Sequence, residues 1–249
     1  MTTEVNMVGR TKMRLLDHRV KYHRIQTNRI TGELLTDLES ILLTNLADYL
    51  KPGMTVYDIG AEEGEFGAFA SMFVGDGNVH MFEPRLTIWP NIKTVWDANG
   101  LTPGGCWAGF VGTINQQTDL WGWNPEGWPD VATGEIVDFS AFPEVIFPGG
   151  TPVITLDKYS EISESVPDVI MMDVEGAEYL ILQGTHNILM NHRPVIFAAL
   201  HLDAFMEKYG YDRRVVFRTM REAKYNAFYL EFDHEEHWLF YPEELDVIK

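Results

Sequence analysis

The chain has 249 residues and a net charge of −18, with a hydrophobic fraction of 45% that excludes wholesale disorder and is enough for a substantial α/β core. So acidic a body disfavours nonspecific nucleic-acid binding, which rests on phosphate neutralisation, and the single cysteine, Cys106, excludes a disulfide framework or a cysteine-built zinc site. No stretch reads as a secretory signal or reaches the length of a membrane span, so a cytoplasmic protein without a membrane partner is expected.

Residues 1–30 hold Arg10, Lys12, Arg14, Arg19, Lys21, Arg24 and Arg29 against only Glu4 and Asp17. This basic arm has three readings. It contacts an anionic substrate, it joins an acidic neighbouring subunit in a homo-oligomer, or it packs on its own acidic body. "TGELLTDLESILLTNLADYLKPG" predicts a helix, with Thr31 as N-cap, Leu35, Leu38, Leu42 and Leu46 on one face, and Pro52-Gly53 as the stop. "MTVYDIG" reads as a buried strand, "FGAFASMFV" as a helix, "GNVHMFEP" as a second strand, and "TIWPNIKTVWDANG" as a second helix beginning after Pro90. Alternation of this kind predicts a parallel sheet with right-handed crossovers.

From about residue 104 to 150 the chain is rich in Gly, Pro and Trp without a helical period. One strand near Trp107–Ile114 is expected there, followed by an irregular insertion. "PVITLDKYSEI" leads into a short helix, "DVIMMDVEGAEYLILQG" is a strand running into a helix, and "RPVIFAALH" is another buried strand. "DRRVVFRTMREAKY" is helical, and "NAFYLEFD" with "HWLFYP" forms a closing antiparallel hairpin. The organisation is one domain over 51–249, preceded by a basic arm and helix over 1–50.

The stretch "VYDIGAEEGEFG" places glycines after a strand, where a phosphate is usually cradled. Here Asp58 precedes the first glycine, and Glu62, Glu63 and Glu65 occupy the loop. At a contact of about 4 Å and an effective dielectric near 20, each would repel a phosphate by several kcal/mol. A ligand with positive centres and no phosphate meets the opposite field, and S-adenosylmethionine is such a ligand. Asp58 can take its amino group, the loop N–H groups its carboxylate, and Glu83, at the end of the second strand, its ribose. The candidate cofactor set is Asp58, Gly60, Ala61, Glu62, Gly64, Phe66, Glu83 and Asp173. A turn acid and a helix-capping Glu remain the structural alternative.

"VYDIGAEEGEFG…VHMFEP" resembles the opening of class I S-adenosylmethionine-dependent methyltransferases. "TLDKY", "DVIMMDVEGAEYLILQGTHNIL" and "RPVIFAALH" narrow the resemblance to the FkbM family, whose hallmark is an I-D-V-E-G-A-E strand–helix junction. It covers roughly Tyr57 to Pro242. It implies a Rossmann-like α/β sheet, mostly parallel with a C-terminal antiparallel hairpin and helices on both faces, and methylation of a hydroxyl on a sugar or small metabolite. Family members often carry Glu two residues before the histidine of "RPVIFAALH"; Ala199 stands there, so that role is lost or relocated.

Asp173 and His201, at the ends of neighbouring strands, are the candidate catalytic pair, with Glu175 beside them. Asp173 is either the group that orients or deprotonates a hydroxyl or a helix cap. Glu175 and Glu178 serve the site or offset the helix dipole, with Glu178 a candidate substrate contact. Asp173, Glu175, His201 and Asp203 also form a possible set for Mg²⁺, which the spacing does not require. "HEEH", His234–His237, looks like a metal pair but falls in a hairpin turn, where solvated side chains are expected. Trp121, Trp123 and Trp128 either flank an acceptor with flat faces or pack the insertion onto the body. Two further classes stay open: a cofactor-binding scaffold without chemistry, and an NAD or nucleotide-sugar enzyme on a similar sheet.

Overall fold

The computed structural model describes residues 1–8, 11–22, 26–27, 34–35, 40–116, 123–124, 127–137, 150–232 and 235–245. The chain opens with strands β1 (Thr2–Asn6) and β2 (Lys12–Leu16), helix α1 (Asp17–Tyr22), and two-residue strands β3 (Gln26–Thr27) and β4 (Leu34–Leu35). Helix α2 (Ser40–Tyr49) leads to β5 (Val56–Ile59), α3 (Glu65–Val74), β6 (Val79–Phe82) and α4 (Trp89–Ala98). Short strands β7 (Gly105–Trp107), β8 (Phe110–Val111), β9 (Trp123–Asn124) and β10 (Val153–Ile154) follow. The second half contains α5 (Leu156–Ser163), β11 (Val169–Met172), α6 (Glu178–Gln183), α7 (His186–Asn191) and β12 (Val195–Leu200). It closes with α8 (Asp203–Met206), α9 (Arg213–Glu222) and the hairpin β13 (Tyr225–Phe232)–β14 (Glu236–Pro242).

The main sheet has eight strands in the order β13-β14-β12-β11-β5-β6-β7-β9. From β12 to β7 all neighbours run parallel, while β14, β13 and β9 are added antiparallel. The order reverses between β5 and β11, so β5, β6 and β11 end at a common crevice, the place where open α/β sheets bind ligands. Four-residue strands buried at every position (VYDI, VHMF, VIMM) explain why they read as apolar runs rather than alternations. Their period of two still sorts the two faces. Val56, Val79, Met81, Val169, Met171 and Phe197 pack with the α2–α4 side, and Tyr57, Ile59, Ile170, Met172 and Ile196 with the α5–α7 and α9 side. Helices thus cover both faces. Among the described residues, no helix is long and apolar enough to cross a membrane.

Three expectations need correction. The N-terminal segment holds more than a basic arm and a helix: β1 and β2 form an antiparallel hairpin, Thr2 opposite Leu16 through Asn6 opposite Lys12. Its buried Val5, Met13 and Leu15 follow the charged Glu4, Lys12 and Arg14, and the density of basic residues hides that two-residue period. Among the described residues of the helix expected over 31–50, Ser40–Tyr49 is helical, while Leu34–Leu35 is a strand that pairs with β1 and β3. Thr31 and Leu38 lie outside the described residues. The single strand expected near Trp107–Ile114 is broken into β7, in the main sheet, and β8, which pairs with β10. At the break Gly109 is crowded: a Cβ there would stand 2.6 Å from the Pro152 carbonyl oxygen.

Of the three readings of the basic arm, the described residues show the packing on its own body. Arg19 Nε lies 2.5 Å from Glu65 Oε1 and Arg19 Nη2 lies 2.8 Å from Glu62 Oε2. His18 Nε2 stands 2.7 Å from Glu63 Oε1. The Arg19 guanidinium is buried, and its three glutamate neighbours hold it in its charged form against that desolvation. Removing it leaves Glu65 buried beside two other acids, so Arg19→Ala should cost about 3 kcal/mol of stability. Urea unfolding of the two proteins checks this, with the midpoint moving and the slope unchanged.

Candidate active site

Period two puts Asp58, Met171, Phe197 and Ala199, from adjacent strands, on the same face of the sheet. With Asp173 just past the end of β11 they line a cleft of roughly 420 Å³, part of it open to solvent. Leu42, Leu43 and Leu46 of α2 and Phe66 of α3 close its other wall, with Gly60 at its base. The apolar face that marked α2 in the sequence is therefore a cleft wall as well as a core stripe.

The loop after β5 is shaped by two contacts. Gly60 has φ +84°, and a Cβ there would stand 1.7 Å from the carbonyl oxygen of Asp173, which no side chain survives. At Gly67 a Cβ would sit 2.6 Å from Asp58 Oδ2, so that glycine makes room for the carboxylate against α3. Asp58 is buried, and its Oδ2 has no hydrogen-bond partner among the described residues. Desolvation pushes its pKa up to about 7, opposed by the Gly67 N–H and aided by Glu83 and Glu65. Glu83, also buried, accepts from the Arg85 N–H at 2.7 Å and the Glu62 N–H at 3.1 Å. Burial pushes it too to about 7, against those two hydrogen bonds. Two carboxylates thus sit dry at the ends of β5 and β6, held by backbone.

The acids of the loop do not all face the crevice. Glu62, Glu63 and Glu65 turn toward Arg19 and His18, so Asp58 and Glu83 are the acids left to the crevice. Glu62 contributes its backbone N–H to Glu83, not its side chain to a ligand. Ala61 is buried and donates its N–H to the Phe82 carbonyl, and Gly64 takes φ +78° at the start of α3. Phe66 does line the cleft.

On the other side of the crevice, His201 is ringed by carboxylates. Its Nδ1 lies 2.9 Å from Glu178 Oε1, and its Nε2 lies 2.8 Å from Glu235 Oε2, 3.3 Å from Glu175 Oε2 and 3.9 Å from Asp173 Oδ1. Against the desolvation that would lower it, hydrogen bonds to Glu175, Glu178 and Glu235 push the His201 pKa up to about 12. Asp173 is likewise raised, well above the usual carboxylate range, through desolvation in the cleft and then repulsion from Glu235, a shift that for an acid disfavours the charged form. Its side chain nevertheless keeps 40% of its solvent exposure, so it faces the cleft rather than the core. Glu175 sits in the left-handed region at φ +54°, an uncommon conformation for a non-glycine residue. Gly176 follows at φ +92°, its N–H donated to Glu178 and its carbonyl accepting from the Tyr211 hydroxyl.

Asp173, His201 and Glu175 are therefore brought together as expected. Glu178, expected to touch an acceptor, is instead completely buried and holds His201 and the Gly176 N–H. Asp203 pairs with Arg213 at 3.2 Å. Glu235 was missed: a turn of solvated side chains was expected, yet Glu235 and His237 are buried. The "HEEH" pattern carried the signal, and only the antiparallel β12–β14 pairing brings it to His201. His234 lies outside the described residues. Trp128 stacks edge-on against Trp96 at 6.1 Å under Lys93, packing the insertion onto α4 rather than lining the cleft. Trp121 and the Trp123 side chain lie outside what is described.

A mostly parallel sheet with this antiparallel hairpin, a glycine loop at the reversal point and acids at three strand ends defines the methyltransferase class with a Rossmann-like fold. The Methyltransferase FkbM domain matches residues 58–226, more than half of the chain, and the chain belongs to that family. Among solved structures, a methyltransferase FkbM from Methylobacillus flagellatus KT superposes with a TM-score of 0.50 at 17% identity, over 76% of this chain and 44% of that one. The present chain therefore spans less than half of that relative's length. Two others are more distant and support nothing by themselves. A ribosomal protein L11 methylase from Lactobacillus delbrueckii subsp. bulgaricus has a TM-score of 0.48 and 7% identity, over 88% and 90% of the two chains. M. jannaschii TYW2, in complex with AdoMet, has a TM-score of 0.44 and 12% identity, over 97% and 86%. No curated protein matches the chain significantly.

The dry Asp58 carboxylate makes a prediction about the protein without ligand. With its pKa raised from 3.8 to about 7, the folded state binds more protons than the unfolded state between those values. Stability is then lost as pH rises through that window, and the penalty is complete above it. Asp58→Asn should therefore stabilise the ligand-free protein by about 1–3 kcal/mol at pH 8 and by little near pH 4. Thermal melts at the two pH values check this.

Proposed function

We propose that this chain is an S-adenosylmethionine-dependent O-methyltransferase acting on a hydroxyl of a sugar or small metabolite. The observation that carries the reading is a cleft lined by Asp58 and Asp173, with the buried Glu83 at the end of the neighbouring strand and His201 beside Asp173. The residues fit the cofactor: Asp58 Oδ2 is free for an ammonium group, Gly60 lets a ligand approach backbone, and Glu83 retains lone pairs for a ribose diol. Bound there, S-adenosylmethionine would supply a sulfonium methyl group, the C–S bond breaking with its electrons kept by sulfur as the acceptor oxygen forms the C–O bond, and the hydroxyl proton would pass to the Asp173 carboxylate.

The chain's own part is positioning and charge. Asp173 faces the cleft from the strand next to β5 and orients the hydroxyl, while His201, held by Glu178, sets the outer limit of the acceptor site. Leu42, Leu43, Leu46 and Phe66 keep the crevice apolar and short of water, which strengthens those contacts.

Calorimetry with S-adenosylmethionine and, separately, NAD is the direct test. Binding of the first and not the second is expected, and Glu83→Ala should weaken it at least tenfold by removing a charge-assisted acceptor, about 1.5–3 kcal/mol. Unchanged affinity in that variant would sink the cofactor assignment. Asp173→Asn should lower turnover by about 10²-fold with cofactor affinity nearly unchanged. A merely structural cap would leave turnover intact, since Asn caps helices as well as Asp.

A further inference from the structure

We infer that Asp173, His201 and Glu235 bind a first-row divalent cation, with Glu178 as the buried carboxylate that orients the histidine. The inference draws on the proposed function only for the use such an ion would have; the geometry stands by itself.

Each of the three residues offers one ligand atom, and these atoms all lie within 4.8 Å of one another. His201 Nε2 is 2.8 Å from Glu235 Oε2 and 3.9 Å from Asp173 Oδ1. With metal–ligand bonds of about 2.1 Å, adjacent ligands stand about 3.0–3.4 Å apart and opposite ones about 4.2 Å. The His201–Glu235 separation is slightly short of the adjacent-ligand value and the His201–Asp173 separation lies between the two values, so side-chain shifts of a few tenths of an ångström would seat a small cation. The ligand atoms come from the ends of β11 and β12 and from the β13–β14 connection, so the sheet fixes the spacing rather than one loop.

A second observation concerns the other ring nitrogen. Nδ1 stands 2.9 Å from a carboxylate oxygen of Glu178, which has no solvent exposure. An ionised carboxylate only accepts, so Nδ1 stays protonated toward Glu178, and Nε2, which faces Asp173 and Glu235, is the nitrogen whose proton a cation would displace. A carboxylate behind the histidine and two in front is the arrangement that orients a metal-bound imidazole.

Charge counting agrees. Glu235, Glu175 and Asp173 all approach the same Nε2, and a proton there can be shared with one oxygen at a time. A divalent ion engages several at once. One imidazole with two carboxylates suits Mn²⁺, Fe²⁺ or Zn²⁺ better than an all-oxygen set would. Glu175, exposed at the mouth, completes the coordination or leaves a position open. An acceptor hydroxyl in that position would lose its proton more readily, in reach of the methyl donor proposed above.

The test uses Mn²⁺ as probe on the whole chain, by calorimetry and by pulsed electron paramagnetic resonance of the bound ion. One Mn²⁺ per chain is expected, with modulation from a single histidine nitrogen. Glu235→Gln should weaken it at least tenfold and Glu178→Gln by about tenfold or more. Weak binding at several places without a histidine signal, in the unmutated protein, overturns the inference whatever the variants do. S-adenosylmethionine binding measured in EDTA separates the two proposals. Cofactor binding without histidine-bound Mn²⁺ removes the cation site alone, and histidine-bound Mn²⁺ without cofactor binding removes the cofactor reading alone.

Discussion

The crevice depends on one close approach. Where β5 ends, the chain at Gly60 passes against the carbonyl of Asp173 so tightly that a single methyl group would collide with it. That contact lets two parallel neighbours splay into their loops without opening a gap between them. It also sets the distance between the glycine loop and the acids after β11. Gly60 takes a positive φ in the same step, so conformation and packing select the same residue.

A second constraint is electrostatic. An acidic chain has gathered carboxylates at the ends of three adjacent strands, where burial penalises charge. The protein answers in two ways. On the outer side of the glycine loop, Arg19 and His18 of the N-terminal segment take Glu62, Glu63 and Glu65, which turns a repulsive loop into a docking point for the hairpin. On the inner side, Asp58 and Glu83 are left dry with only backbone donors, and His201 is crowded by four acids. Structural pairing has been completed where no ligand is expected and left incomplete where one is, which is how a site's cost in stability differs from an ordinary ion pair's.

The aromatic side chains divide along similar lines. Tyr57 and Tyr159 pack on His80 on the opposite face, with Phe82 against both tyrosines; burial lowers the His80 pKa to about 4, and Tyr159 and Ser165 take its two nitrogens. That network is satisfied and belongs to the core. Trp128 joins the core in the same sense, carrying the insertion onto α4.

The sequence by itself determined the strand–loop–helix units and which residues stand at their ends. Apolar runs, glycines that need positive φ, and the Asp-Val-Glu-Gly-Ala-Glu junction act within a few residues, so local chemistry fixes them; Asp58, Glu83, Asp173 and His201 were legible for that reason. Tertiary structure alone decided what those residues meet. Arg19 reaches Glu65, and Glu235 reaches His201, because a hairpin docks and an antiparallel strand is added beside β12. Such partners are distant in the chain, and nothing in their local pattern distinguishes a buried glutamate from a solvated one. The N-terminal hairpin was hidden likewise, since alternation between charged and apolar residues becomes a strand only when a core is present to bury one face.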